Sequence, residues 1–183
     1  MNPRIRARLG LLFIVALFAA PLLIAYLLNA NGWRPGGMRN YGTLLEPPRD
    51  LTAARFVYAD DGKPLAWKDE NWSWTIFVLP GTHCAQKCLA RLDELRRARL
   101  TLNQNAFRVR IVVLGDVAAD ALAPLVPMRA ARDVDGALSA MHPPGDDDVA
   151  VAFADPHGFL VLAYPVGYDA NKLRRDLERA IKS

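Results

Sequence analysis

Cysteine is scarce in this chain: only two of its 183 residues are cysteines, Cys84 and Cys88. Two cysteines are too few for the disulfide framework of a small secreted domain. A structural zinc site would need a second cysteine pair or clustered histidines, and the three histidines are scattered along the sequence. The pair is therefore a single staple, a redox couple or two ligands of a soft metal ion.

A basic surface for nucleic acid is also missing. The formal net charge of +4 is the difference between 23 basic and 19 acidic residues. Arg4, Arg6 and Arg8 supply three of the basic residues, so the rest of the chain carries 20 minus 19, or +1. Because no basic stripe remains, we do not predict nucleic acid as a partner.

Charge is absent from residues 9–28, which are almost wholly apolar. A run of about 20 apolar residues is long enough to cross a bilayer. The arginines before it predict a cytoplasmic segment at residues 1–8, by the positive-inside rule. We predict an uncleaved single-pass anchor over residues 9–28 in the inner (cytoplasmic) membrane, with the C-terminal domain in the periplasm. A cleaved signal peptide is the alternative, but its apolar core is normally shorter.

The remaining chain divides into a linker and one folded domain. Residues 29–50 are rich in Gly, Pro, Asn and Arg, and they predict a linker. Residues 51–183 predict the folded domain, with no internal repeat. Its predicted strands are 55–59, 73–79, 108–114, 149–154 and 159–164, and its predicted helices are 85–100 and 169–181. Residues 116–140 are Ala-rich and predict further helix, interrupted by prolines. This order indicates an α/β mixed sheet with helices on both faces.

The cysteine pair lies where a buried strand is followed by a helix. Backbone N–H groups at a helix start favour a thiolate over a thiol, so Cys84 is the predicted reactive thiol. Cys88 lies four positions later, on the same helix face, and is the predicted resolving sulfur or second ligand. A staple across so few residues removes little unfolded-chain entropy, which favours redox or copper(I) chemistry over an inert pair.

The motif Gly-Thr-His-Cys-x-x-x-Cys at residues 81–88, between a strand and a helix, resembles the SCO/SenC family. The Asp-Asp-Gly-Lys-Pro-Leu segment at 60–65 and the Asp-Pro-x-Gly turn at 155–158 are similar to that family as well. Its members are thioredoxin-fold proteins that deliver copper to cytochrome c oxidase or reduce its copper-site cysteines. The resemblance implies a thioredoxin-like sheet flanked by helices, with copper(I) as the possible cofactor.

Two positions depart from the family pattern. Leu89 stands where the family usually has a proline after the second cysteine. Asp147 stands where counting back from the 155–158 turn places the family's third copper ligand, a histidine. A carboxylate is a hard ligand and a poor substitute for copper(I). His142 is the nearest histidine upstream, so the predicted metal ligands are Cys84, Cys88 and His142.

The predicted function is that of a membrane-anchored, exported assembly factor for cytochrome c oxidase. It would act by thiol–disulfide exchange, copper(I) handling or both at Cys84 and Cys88, and as an enzyme it would be a thiol–disulfide oxidoreductase. The predicted partners are a respiratory oxidase subunit or another exported thiol protein, and the membrane. Two alternatives stay open: a non-catalytic thioredoxin-fold binding module in a membrane complex, and a general exported oxidoreductase, which typically has C-x-x-C instead.

Overall fold

The computed structural model describes residues 3–31 and 40–182 and divides into two compact units, Met1–Met38 and Arg39–Ser183. The first unit holds helix α1, Pro3–Ala30, whose large apolar side chains from Leu12 to Leu27 are exposed where they are described. In the described part of the chain, no helix is both long and apolar enough to span a membrane. The anchor over residues 9–28 stays a prediction.

The second unit is a seven-stranded mixed sheet with the strand order β1-β7-β6-β3-β4-β5-β2. Its strands are β1 Thr43–Asp50, β2 Phe56–Tyr58, β3 Trp74–Pro80, β4 Val109–Leu114, β5 Arg129–Asp133, β6 Val149–Ala154 and β7 Phe159–Tyr164. Its α-helices are α2 Gln86–Leu100, α3 Ala119–Leu122 and α4 Ala170–Lys182, and short 3₁₀ turns lie at Asn103–Arg108, Ala123–Leu125 and Ser139–Met141. Strand β3 runs parallel to β4 and antiparallel to β6, so it lies at the centre of the sheet.

Alternate residues of β3 enter two apolar clusters, one on each face of the sheet. Ile76 and Val78 join the cluster that also contains the buried apolar residues of α2, α3 and α4. Phe77 and Leu79 join the other cluster, which is covered by chain segments around Phe56 and Leu138 and by no described α-helix. The prediction of helices on both faces is therefore wrong, because all three α-helices of this unit bury their apolar residues on the same face.

The predicted linker is too long, because its last residues belong to the sheet. Strand β1 pairs antiparallel with β7, and the chain before it is held by a buried carboxylate. Asp176 on α4 accepts hydrogen bonds from the N–H groups of Tyr41 and Gly42, at 2.6 and 3.0 Å. It also accepts one from the Tyr164 hydroxyl, at 2.5 Å. These contacts place the start of the folded domain before residue 51.

The Ala-rich segment 116–140 is also different from its prediction as largely helical. Helix α3 has only four residues, and Pro124 and Pro127 follow it closely. Proline lacks an N–H and clashes with the preceding turn, so a longer helix cannot form there. Residues 129–131 instead pair in parallel with residues 112–114 of β4, which adds β5 to the sheet.

Candidate functional site

The two cysteines are joined as a disulfide at the end of the central strand. We call residues 81–88 the Cys loop, since they connect β3 to the first turn of α2. The Cα atoms of Cys84 and Cys88 are 5.1 Å apart, within the usual range for a disulfide. Cys84 is partly exposed, whereas Cys88 is 0% exposed. A partner can therefore approach Cys84 first, and the assignment of Cys84 as the reactive thiol stays a prediction.

Helix α2 begins without a capping side chain of its own. Its N-cap residue is Ala85, which has no oxygen to offer, and its first turn has no acidic residue. Asp147 supplies the cap from a distant part of the sequence. One carboxylate oxygen accepts the N–H groups of Ala85 and Cys88, at 2.7 and 2.9 Å, and the other accepts the N–H of Lys87 at 2.9 Å. These are the N–H groups that a helix start otherwise leaves without partners.

The same contacts determine the electrostatics around the cysteines. The N–H of Cys88 is the largest cause that lowers the pKa of the Asp147 carboxyl, with smaller contributions from Lys87 and Ala85. The position of Cys84 at the helix start predicts that these N–H groups stabilise its thiolate. In the structure a carboxylate has already taken them, so the helix start offers Cys84 less stabilisation than its position alone suggests.

The backbone of the acidic loop, which we define as residues 145–148, lies directly against the Cys loop. The N–H of Gly81 donates to the carbonyl of Asp148 at 2.8 Å, and the N–H of His83 donates to the carbonyl of Asp146 at 3.0 Å. A Cβ added to Gly81 would lie 1.9 Å from the carbonyl oxygen of Gly145. The close approach of the two loops therefore requires glycine at position 81.

Side chains add to these backbone contacts. The Thr82 hydroxyl and the Asp146 carboxylate form a short hydrogen bond, and the Lys87 ammonium group pairs closely with Asp148. His83 Nδ1 lies 3.8 Å from an Asp146 oxygen, with both side chains largely exposed. All three aspartates of the acidic loop thus contact the Cys loop, and the sequence alone does not predict these contacts.

His142 lies next to the end of β3. Its Nδ1 is 2.7 Å from the carbonyl oxygen of Pro80. Because a carbonyl only accepts hydrogen bonds, Nδ1 carries the hydrogen in this contact, and in the neutral form of the ring the free lone pair is on Nε2. The ring lines a cavity of about 610 Å³ together with Gly115, Asp116 and Val117.

Among the described residues, no three His, Cys, Asp or Glu side chains are grouped so as to hold a metal ion. The predicted ligand set of Cys84, Cys88 and His142 stays a prediction. In the disulfide state the two sulfurs are bonded to each other, and the carboxylate of Asp147 is bound by backbone N–H groups. The two sulfurs could act as thiolate ligands of a soft metal ion only after reduction.

Asp147 is the site residue whose role sequence reasoning missed. The resemblance to the SCO/SenC family put it in the position of a ligand, and in the structure it binds backbone N–H groups next to both cysteines. The signal for its actual role was present at Ala85, because a helix that starts on alanine needs a cap from elsewhere. The sequence could not show which of the nearby carboxylates provides it.

Comparison with known proteins supports this architecture. Yeast Sco1 with copper bound has a TM-score of 0.57 at 17% identity, over 80% of this chain and 96% of that one. A Chlorobium tepidum protein assigned as thiol:disulfide interchange protein DsbE has a TM-score of 0.54 at 15% identity, over 73% and 97%. Bradyrhizobium japonicum ScoI with copper bound has a TM-score of 0.51 at 16% identity, over 76% and 98%.

At these identities the likeness shows a shared fold. It confirms the thioredoxin-like α/β sheet with flanking helices and the resemblance to SCO proteins. No curated protein matches the chain by sequence. A family model described as "transmembrane-like, thioredoxin-like, C-terminal domain" matches residues 74–183. The chain therefore belongs to this transmembrane-like, thioredoxin-like family, and its Cys loop and acidic loop lie within the matched domain.

Proposed function

We propose that this protein performs thiol–disulfide exchange at Cys84 and Cys88 on an exported client protein during the assembly of a respiratory oxidase. The observation that carries the proposal is the disulfide at the start of α2, with one partly exposed and one fully buried cysteine. This asymmetry suits an attacking and a resolving sulfur. The fold shared with SCO proteins and with a DsbE-type protein supports the client class and the chemistry.

The exchange begins with the reduced pair. The Cys84 thiolate attacks one sulfur of a client disulfide, so a bond forms between Cys84 and the client, and the other client sulfur leaves as a thiolate that takes up a proton. Cys88 then loses its proton and attacks the Cys84 sulfur. The Cys84–Cys88 disulfide closes and the second client thiol leaves. Two electrons pass to the client, and an exported dithiol donor returns two electrons to the pair.

In this proposal the domain acts in the periplasm, held at the inner membrane by residues 9–28 with the N-terminus in the cytoplasm. The support for the anchor is the uncharged apolar run behind three arginines, which falls within helix α1. The client would be an oxidase subunit or another exported thiol protein.

Copper(I) is the second candidate, as cargo passed to the same client. The likeness to two Sco structures with copper bound favours it. After reduction, the thiolates of Cys84 and Cys88 would hold the ion, with Nε2 of His142 as the proposed third ligand. Asp147 argues against a closed three-ligand site, since a hard carboxylate bound by three N–H groups occupies the position of the family's histidine.

Trapping a mixed disulfide tests the proposed exchange. The reduced full-length chain in detergent would be incubated with a disulfide-containing peptide that corresponds to a copper-site segment of an oxidase subunit. With Cys88→Ser, we expect the mixed disulfide to accumulate, because resolution is blocked. With Cys84→Ser, we expect none. Equal trapping by both variants, or a wild-type pair that does not change redox state, would contradict the proposal.

Titration of the reduced full-length chain with copper(I), against a competing chelator, separates the cargo candidate from exchange alone. Tight binding that is lost in His142→Ala would establish His142 as a third ligand. Weak binding of equal strength in both proteins would leave exchange as the sole function of the pair. The disulfide form serves as the control, because its sulfurs are not available as thiolates.

A further inference from the structure

We propose that Asp147 is a positioning residue for the cysteine pair: its carboxylate holds residues 85–88 in the conformation that closes the disulfide, in the dithiol state as well as in the disulfide state. This inference rests on the proposed exchange function and adds a residue to it. Asp147 need not contact the client or the sulfurs to act, because it works through the backbone that carries them.

The carboxylate joins the two ends of the disulfide segment. The same oxygen accepts the N–H of Ala85, which directly follows Cys84, and the N–H of Cys88 itself. It thus fixes the backbone beside the first cysteine relative to the backbone of the second. This bridge between the N–H groups of residues 85 and 88 limits how far the backbone next to Cys84 can move away from that of Cys88.

An ordinary helix would not bring the sulfurs together. Residues four apart on a helix have Cβ atoms about 5–6 Å apart, whereas a disulfide needs roughly 3.8 Å. The chain solves this at Ala85, whose ψ of −148° is not helical, so Cys84 lies outside the regular turn that contains Cys88. Asp147 accepts the Ala85 N–H in this non-helical conformation, and we infer that it selects that conformation before the disulfide forms.

The acidic loop is itself held in place independently of the disulfide. Its backbone accepts the N–H groups of Gly81 and His83, both on the strand side of Cys84. The carboxylate of Asp147 therefore approaches α2 from a fixed position. Without this carboxylate, the dithiol form of residues 84–88 has more accessible conformations. A smaller fraction of dithiol molecules then has the two sulfurs close enough to bond, and the equilibrium constant for disulfide formation falls by the same factor.

The experiment measures the thiol–disulfide equilibrium of the full-length chain in glutathione buffers, by alkylation and mass spectrometry. We expect Asp147→Ala to shift the pair toward the dithiol by roughly tenfold, the scale of a lost helix cap. Asp169→Ala, which removes the cap of α4 instead, is the matched control and should leave the equilibrium unchanged. Gly81→Ala should shift it in the same direction as Asp147→Ala, since it forces the loops apart while Asp147 remains.

Asp147→Asn separates position from charge, because asparagine keeps an acceptor oxygen and loses the negative charge. Its shift should be smaller than that of Asp147→Ala; an equal shift would assign the effect to charge and overturn the inference. An Asp147→Ala equilibrium within twofold of wild type, or an equal shift in Asp169→Ala, would also overturn it. A wild-type pair with no measurable redox change would instead refute the proposed exchange.

Amide hydrogen exchange of the reduced wild-type protein tests the cap directly. The amides of residues 85, 87 and 88 should be protected from exchange in the wild type, and Asp147→Ala should lose this protection.

Discussion

Helices α2 and α4 begin in opposite ways. At the start of α4, Asp169 caps its own helix: its side chain accepts the N–H groups of Asn171 and Lys172, and its carbonyl accepts that of Leu173. At the start of α2, the carbonyl of Ala85 does the same for Leu89, but the capping carboxylate is Asp147 on another loop. The start of α4 is therefore capped by its own local sequence, whereas the start of α2 is capped only when the sheet has folded.

The helix start with the cap from a distant residue is also the one that carries the disulfide. The start of α4 is a structural end with no cysteine, and local capping makes it independent of the rest of the domain. The start of α2 carries the disulfide, and its geometry depends on a contact between two loops. A cap from elsewhere lets the position of the acidic loop and the state of the cysteines influence each other, which a local cap does not allow.

The largest expected effect concerns Asp176. Like Asp147, it accepts hydrogen bonds from N–H groups of a distant segment, but it is buried. We expect Asp176→Ala to lower the free energy of unfolding by about 2–3 kcal/mol, because Tyr41, Gly42 and Tyr164 lose their buried acceptor. Urea denaturation measures the change. Tyr164→Phe removes only one of the four donors to this carboxylate, the others being the two N–H groups and the Arg179 guanidinium, and should cost less. A loss from Tyr164→Phe as large as that from Asp176→Ala would show that the other three donors contribute nothing.

The direct comparison of the two helix starts predicts smaller effects that differ with redox state. Asp169→Ala and Asp147→Ala should each lower Tm by about 2–4 °C in the disulfide form. On reduction, the loss from Asp169→Ala should stay the same. The loss from Asp147→Ala should shrink, because the dithiol segment can relax when its cap is removed. Thermal unfolding followed by circular dichroism, with and without reductant, measures all four values. Equal losses in both redox states for Asp147→Ala would show that cap and disulfide are independent.

A local cap introduced at α2 makes it resemble α4. In the Asp147→Ala background, Ala85→Ser places a hydroxyl at the N-cap position, and we expect it to recover about half of the lost Tm. In the wild-type background the same substitution should change Tm little, since Asp147 already binds these N–H groups. A full gain in both backgrounds would mean that Asp147 does not satisfy the helix start.

The smallest effect is the pH dependence at the α4 start. Hydrogen bonds from the N–H groups of Asn171 and Lys172 lower the pKa of Asp169. The stabilisation by this carboxylate is therefore complete above the pKa of the unfolded chain, near 3.9, and is lost as the pH falls through the lower folded pKa. The Tm difference between wild type and Asp169→Asn should be constant from about pH 7 to 5 and should shrink below pH 4. A difference that grows toward acid would contradict this assignment.

Local patterns predicted most of the sheet and both long helices of the domain, including the Asp169 cap, because strands β3, β4, β6 and β7 are apolar runs and α4 has a helical apolar face. The predictions for two segments are wrong for the same reason. Residues 43–50 and 129–133 become strands only because β7 and β4 present open edges to them. Their own composition, rich in Pro or Ala and charge, does not favour strands.

The candidate site divides in the same way. The cysteine pair and its position between a strand and a helix follow from adjacent residues, whereas the greater access to Cys84 is seen only in the structure. The cap by Asp147 joins residues about 60 positions apart, and a sequence alone does not show which oxygen reaches which N–H. The resemblance to the SCO/SenC family indicated the position of Asp147 but suggested a ligand there, whereas the geometry shows a hydrogen-bond acceptor.

The two edges of the sheet limit how a client can be recognised. Strand β1 forms one edge, and its prolines at 47 and 48 lack the N–H groups that an added strand would need. Strand β2 forms the other edge, and residues 63–65 of the same chain already cover it through hydrogen bonds to Tyr58 and Phe56. Both edges of the described sheet are thus poorly suited to strand addition. In the proposed exchange a client would then be recognised through the loops around Cys84, at the same end of the domain as the disulfide.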